Sequence, residues 1–308
     1  MRMSRYHDPV MGREVLDLMR PAGDRLYLDG TVGGGGHTKM ILESCEGCRV
    51  IAVDRDPEAL HEARVVLADH RSRVRFVRSR FDRVVLDPEI RDNGLDGVLL
   101  DLGVSSHQID ADERGFTFRR GVKLDMRMDG DGRDATGFLA EANEDELTRV
   151  FRDFGDEPRA RRLAREIVKR RAKGPIETSD NLVAAIAGAL GRSPSMKEKA
   201  RIFQSVRIAV NEEMDALGAG LPALRDVMRA GGVMTVIAYH SVEDRAVKRA
   251  FREWSRTCVC PPELPVCTCR GKALGETLTR KVLRPTTEEV EGNPRARSAR
   301  LRAWRRAA

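Results

Sequence analysis

Three aspartates and a run of glycines carry the first chemical signal. Asp29 ends the apolar run LYLD and is followed by GTVGGGGH over residues 30–37, Asp54 ends RVIAVD, and Asp101 ends DGVLLD. Glycine at that density means that the backbone turns where a side chain would clash, or that it approaches a ligand closely. A phosphate loop of the Walker type needs Lys-Ser/Thr directly after its last spaced glycine, whereas here Gly36 is followed by His37, Thr38 and Lys39. The dinucleotide fingerprint G-x-G-x-x-G fits only loosely, with Thr38 in the place of the third glycine. Asp54 suits the ribose hydroxyls of either a dinucleotide or an adenosyl ligand. Asp29 discriminates between them, because a carboxylate is repelled by a pyrophosphate and attracted by a sulfonium or an ammonium. The set Asp29, Gly33, Gly35, Gly36 and Asp54 therefore suits S-adenosylmethionine better than NAD. A tight strand-to-helix turn without a ligand is the alternative.

Such residues need a parallel sheet behind them, and the pattern supplies one. Strands are expected over 25–29, 49–54, 74–77 and 96–103, with helices after the glycine turn and over 57–69. Continuous apolar strands between helices indicate a parallel sheet covered on both faces. From Thr136 to about Lys199 only helical patterns occur; a helix over 201–217 and a strand over 232–239 then resume the α/β alternation. The expected organisation is an α/β domain over 1–135 and 200–308, with an all-helical insertion over 136–199 between the fourth and fifth strands. The tail past Pro285 is basic and poorly patterned.

Bulk composition agrees with a nucleic-acid enzyme without requiring one. The 308 residues are 41% apolar and carry a net charge of +7, with an isoelectric point near 9.3. That surplus favours a polyanionic partner through phosphate contacts. There is no apolar run of 18 residues, and the start, MRMSRYHDPV, has no stretch resembling a signal peptide, so the expected location is the cytosol, with no membrane partner. In a reducing compartment the six cysteines argue for thiols or a metal rather than disulfides. Cys258, Cys260, Cys267 and Cys269, in CVCPPELPVCTC, could form a tetrahedral zinc site, although C-x-C is tighter than the usual C-x2-C. Cys45 and Cys48 fall in a loop and read as incidental.

The strings DGTVGGGGH, AVDRDPEAL, LLDLGVSSHQID, RGFTF and LDMRMD, continued by RIFQSVRIAVNEE, YHSVEDRAVKR and NPRARSARLR, resemble the RsmH (MraW) family over nearly the whole chain. That family comprises bacterial enzymes that methylate N4 of a cytidine in the decoding region of 16S rRNA. The resemblance implies a class I (Rossmann-like) S-adenosylmethionine-dependent methyltransferase fold with an inserted all-helical domain. Its substrate would be 16S rRNA in the small ribosomal subunit or a late assembly intermediate; a homodimer is left open. Carried over by position, cofactor contacts fall on Gly35, Gly36, His37, Asp54, Phe81, Asp101 and Gln108. Where the family usually reads His-Pro, this chain has Lys197 and Glu198, while Arg201, Gln204, Arg207 and Asn211 remain. On a helix 204, 207 and 211 share a face, which could line an RNA cleft or serve packing.

The exocyclic amine of cytosine is a poor nucleophile, because its lone pair is delocalised into the ring. Catalysis then needs in-line placement and acceptors for the N–H bonds. Many amino-methyltransferases place Asp/Asn-Pro-Pro-aromatic after the fourth strand; here the matching segment is Asp101-Leu102-Gly103-Val104-Ser105. Asp101 is the expected acceptor, with Ser105, Asp125 and His240 as weaker candidates. The target base must leave its stack, and Phe116, Phe118 or Tyr239 could receive it, although core packing explains any one of them. Two basic runs, 159–173 and the C-terminal NPRARSARLRAWRR, are candidates for the RNA backbone.

Overall fold

The computed structural model describes residues 9–261, 266 and 268–308. They fall into two compact units, Met1–Gly103 with Asp215–Ala308, and Val104–Met214. The first holds a seven-stranded sheet: β1 Leu26–Asp29, β2 Arg49–Asp54, β3 Val74–Arg78, β4 Leu95–Asp101, β5 Met228–Ala238, β6 Gly275–Thr277 and β7 Arg300–Arg306. The order is β3-β2-β1-β4-β5-β7-β6. The first five strands pair in parallel, whereas β7 is antiparallel to both β5 and β6. This is the doubly wound Rossmann-like sheet expected above, with strand order reversing between β1 and β4, so that a crevice opens at their carboxyl ends. Tyr27, Leu28, Ile51 and Leu99 have essentially no exposure, as strands covered on both faces require.

The tail past Pro285 contradicts its poor patterning. It forms the helix Thr287–Gly292 and then β7, whose Leu301, Arg302, Ala303 and Trp304 are all buried. Two arginines of this strand show how it accommodates guanidiniums, by meeting oxygen acceptors. Arg302 pairs with Asp244 at 2.6 Å, and Arg306 donates to the carbonyls of Arg225, Asp226 and Met228. Trp304 packs edge-on against Trp254, their ring centroids 5.2 Å apart. Arg302, Arg305 and Arg306 of this run thus have structural partners, Arg305 pairing with Glu276.

The second unit is built on one apolar cluster that includes Phe138, Phe151, Leu163, Ile167, Leu182, Ile186 and Ile202. It is wider than the expected 136–199, because Leu124, Met126, Phe203 and Val206 belong to the same cluster. The single helix expected over 201–217 is two, Met196–Val210 and Glu213–Val227. The break is at Asn211, whose buried side chain donates to Met126 O at 2.6 Å and accepts from Met128 N at 2.9 Å, followed by Glu212 in a left-handed conformation. Cys45 and Cys48 also depart from expectation: they are joined as a disulfide, their Cα atoms 5.9 Å apart, within the range that permits one. Among the described residues, no helix is long and apolar enough to cross a membrane.

Candidate active site

The glycine turn leaves β1 and enters the helix Gly36–Ser44 through Gly35, whose φ of +86° few side chains tolerate. Asp29 is buried under this turn, where its carboxylate accepts from Thr38 Oγ1 at 2.7 Å and from Thr31 N at 3.2 Å. Asp54, ending β2, accepts from Gly33 N at 3.0 Å and Asp56 N at 2.9 Å. The turn is therefore held from beneath by two carboxylates. Among the described residues, no lysine or arginine pairs with Asp29, Asp54 or Asp101. Burial pushes Asp54 up to about 6 against its backbone N–H donors, and burial raises Asp29 against the hydrogen bonds from Thr38 and Thr31.

Asp101 ends β4, and its backbone N–H donates to Thr31 Oγ1 at 2.6 Å, tying it to the turn. Its Oδ1 accepts from the Tyr239 hydroxyl at 2.9 Å, and its Oδ2 lies 3.7 Å from His37 Nδ1. His37 Nε2 is 2.9 Å from Val10 O. A carbonyl can only accept, so Nε2 carries a proton, and burial lowers the His37 pKa and favours the neutral ring, whose Nδ1 then faces Asp101 without a proton. Burial pushes Asp101 up to about 7, opposed by the Tyr239 hydrogen bond and assisted by the Glu243 charge. Burial and then the Asp101 charge hold the Tyr239 phenol well above its usual range.

Tyr239 is positioned by a helix cap that the sequence reading passed over. His240 caps the helix Ser241–Trp254, with Nδ1 accepting from Glu243 N at 3.3 Å. Glu243, itself buried, reaches back with Oε2 to accept from Tyr239 N at 3.0 Å, and its Oε1 lies 3.1 Å from His240 Nε2. This is a capping box with histidine in the place of the usual serine or threonine. The spacing His-x-x-Glu directly after a strand was the available signal. His240 thus has a structural task, with both ring nitrogens facing Glu243. Phe81 packs where a Cβ on Gly220 would lie 2.6 Å from its ring, so glycine there makes room for the phenyl.

The remaining expected residues belong to the second unit. Ser105 and Gln108 form a capping box with each other, Gln108 N donating to Ser105 Oγ and Ser105 N to Gln108 Oε1. Asp125 is closed by Arg127 at 2.7 Å; burial acts to raise its carboxyl, but Arg127 prevails and holds it below its usual range. Phe118 meets Phe203 edge-on at 5.6 Å, and Phe116 packs on the same apolar cluster, so both serve the core. Gln204, Arg207 and Asn211 also serve packing: Arg207 forms a two-pronged pair with Glu213, and Gln204 donates to Phe154 O. Glu198, one of the two departures from the family pattern, completes a capping box with Ser195 and pairs with Arg192.

Two surface features complete the inventory. The helix Ala160–Arg171 has Arg165 and Arg161 on Glu144, Arg170 on Glu166, and Arg171 on the carbonyls of Leu139 and Ala142. Beyond the capped helix, the sulfurs of Cys258, Cys260 and Cys269 lie within 4.8 Å of one another, and Val259 N donates to Cys269 Sγ. Cys267 lies outside the described residues.

The profile of the MraW methylase family matches residues 4–307. A ribosomal RNA small subunit methyltransferase H from Gemmatimonas aurantiaca is 50% identical, over 99% of this chain and 97% of its own. Proteins of the same name from Heliobacterium modesticaldum and Anaeromyxobacter sp. strain K are 46% and 45% identical, over 97% and 96% of this chain and 97% and 96% of their own.

Proposed function

The chain belongs to the MraW methylase family, and on that premise we propose that it methylates N4 of a cytidine in the decoding region of 16S rRNA, using S-adenosylmethionine. The observation that carries this reading is the trio of strand-end carboxylates, Asp29, Asp54 and Asp101, held around the glycine turn with no arginine or lysine partner among the described residues. A pyrophosphate would be repelled there; a sulfonium and an ammonium would supply the missing positive charge.

The residues present fit the cofactor. Asp54 keeps acceptor capacity for ribose hydroxyls beyond its backbone donors. The N–H groups of Gly36, His37 and Thr38 open a helix that has no side-chain cap, and a carboxylate tail suits them. Gly35 lets that helix start approach the ligand, and Phe81 offers its ring to the adenine. Gln108 would act as a polar fixer. When bound, S-adenosylmethionine would supply an electrophilic methyl group on a cationic sulfur. Asp101 is the acceptor for an N–H of the cytosine amine, aimed by the Tyr239 hydroxyl and by its tie to Thr31. A strong base is not needed beforehand, because a methylated ammonium is acidic; its proton passes to Asp101 Oδ2, beside the bare Nδ1 of His37.

Zinc is the second group for which the chain carries donors. The Cys258–Cys269 sulfur separation of 3.9 Å matches the edge of a thiolate tetrahedron, about 3.8 Å for Zn–S bonds of about 2.3 Å. Cys258, Cys260 and Cys269 would hold it, with Cys267 next in sequence as fourth thiolate, and metal analysis of the purified protein tests this. The helical unit is read as an RNA contact through Arg162, Lys169 and Lys173. For the reaction, the test is methyl transfer to unmodified small ribosomal subunits followed by nucleoside analysis. N4-methylcytidine is the expected product; no transfer, or methylation at another atom, overturns the reading.

A further inference from the structure

The helix Ser241–Trp254 begins at the proposed acceptor site and divides its residues by charge. Glu243, Val247, Phe251 and Trp254 are buried along one side, packed through Phe251 and Trp254 onto the fully buried Trp304. Arg245, Lys248, Arg249, Arg252 and, just past the helix end, Arg256 are all exposed. Their spacing of three, four, seven and eleven from Arg245 puts them on one face, opposite the buried seam. Together with Glu253 they line a shallow depression of about 430 Å³. Glu253 itself is paired with Arg270, at 2.7 Å.

Among the described residues, no carboxylate pairs with Lys248, Arg249, Arg252 or Arg256. Four like charges on one helix face repel each other, and folding alone gives no reason to keep them together. The run from Arg245 to Arg256 covers about 16 Å at 1.5 Å per residue, room for several consecutive phosphates. Its upstream end is fixed to the chemistry, since Tyr239, which meets Asp101, directly precedes the cap residue His240. Fixed cations so placed would set the register of a strand whose target base lies at Asp101, while leaving sequence unread.

We propose that the Lys248, Arg249, Arg252 and Arg256 face binds the phosphate backbone of the substrate rRNA next to the target nucleotide. The proposal rests on the methyltransferase reading and names a surface for its substrate. The test compares K248Q/R249Q/R252Q/R256Q with a charge-matched variant on the other basic helix, R161Q/R162Q/R165Q/K169Q. Binding to unmodified small ribosomal subunits is measured from 50 to 300 mM salt, alongside KM for the subunits and the affinity for S-adenosylmethionine. In the first variant the salt slope should fall by roughly 2–3, binding should weaken at least about tenfold at 0.1 M salt, and KM should rise by a similar factor. Unchanged cofactor affinity shows that this variant folds. An unchanged slope and KM in the first variant, with wild-type transfer intact, overturn this inference alone. So does an effect confined to phosphatidylserine vesicles, with RNA binding unaltered. Absence of wild-type transfer overturns the reaction assigned above and is read separately.

Discussion

Among the described residues of the sheet unit, Asp29, Asp54 and Asp101 sit at strand ends with no lysine or arginine paired to them, while Lys248, Arg249, Arg252 and Arg256 line one helix face with no carboxylate paired to them. In the helical unit, Asp125 is closed by Arg127, Glu157 by Arg201 and Glu213 by Arg207, and most arginines of Ala160–Arg171 already have an oxygen to meet. The sheet unit keeps these particular charges apart, although it pairs others such as Arg75 with Asp87 and Arg302 with Asp244. The pKa directions follow: burial pushes Asp54 and Asp101 up to about 6 and about 7, whereas Arg127 outweighs burial and holds Asp125 low. Paired charges hold a fold together, and charges kept apart are available to a ligand. Basic residues are densest in the helix Ala160–Arg171, where most already meet an oxygen, whereas among the described residues Lys248, Arg249, Arg252 and Arg256 on the helix Ser241–Trp254 and just past it meet no carboxylate.

The sharpest way to break the comparison is to remove one carboxylate from each unit. Asp101→Ala should lower kcat at saturating cofactor by about 100-fold or more, whereas Asp125→Ala should leave kcat within a few-fold and lower stability. Wild-type turnover in the Asp101 variant would remove the role given to it. Next comes Asn211→Ala, which leaves the buried Met128 N–H and Met126 carbonyl without their partner and should cost about 2–3 kcal/mol in chemical denaturation. A loss below about 0.5 kcal/mol would show that the helix break does not depend on that side chain.

Protonation offers a smaller and more selective test. Asp54 and Asp101 have raised native pKa values, so below about pH 4 their contribution to stability is fully present, and it is lost as pH rises towards 6 and 7. A bound cation favours their ionised forms. Affinity for S-adenosylmethionine should therefore rise between pH 5.5 and 7.5, more steeply than for S-adenosylhomocysteine, whose sulfur is uncharged; equal slopes by titration calorimetry would contradict this. The acid limb of kcat/KM should lie near pH 7, with activity above it. The smallest expected effect is that of Glu198→Gln, which keeps an acceptor for the Ser195 N–H and loses only an exposed pair with Arg192. Its thermal midpoint should match wild type within about 2 °C.

Local pattern made the glycine turn, the five parallel strands and the helical character of the insertion readable, because each depends on neighbours in sequence. β7 was hidden by its own arginines: the alternation that marks a strand is masked when Arg302 is buried on Asp244, 58 residues upstream. The helix expected over 201–217 looked continuous because no local signal at Asn211 reveals that its partners are the backbone of residues 126 and 128. Asp101 was readable as a strand-end carboxylate, yet its partner Tyr239 is 138 residues away. The histidine-glutamate cap that orients Tyr239 was written in the spacing of residues 240 and 243, in a residue type seldom used for that purpose.

By itself the sequence determined the elements and the chemical types at their ends, since periodicity and turn residues act over a few positions. Only the tertiary structure decided which charges meet an opposite charge and which do not. Pairing depends on distances of about 3 Å between residues far apart in the chain, and no local pattern encodes them.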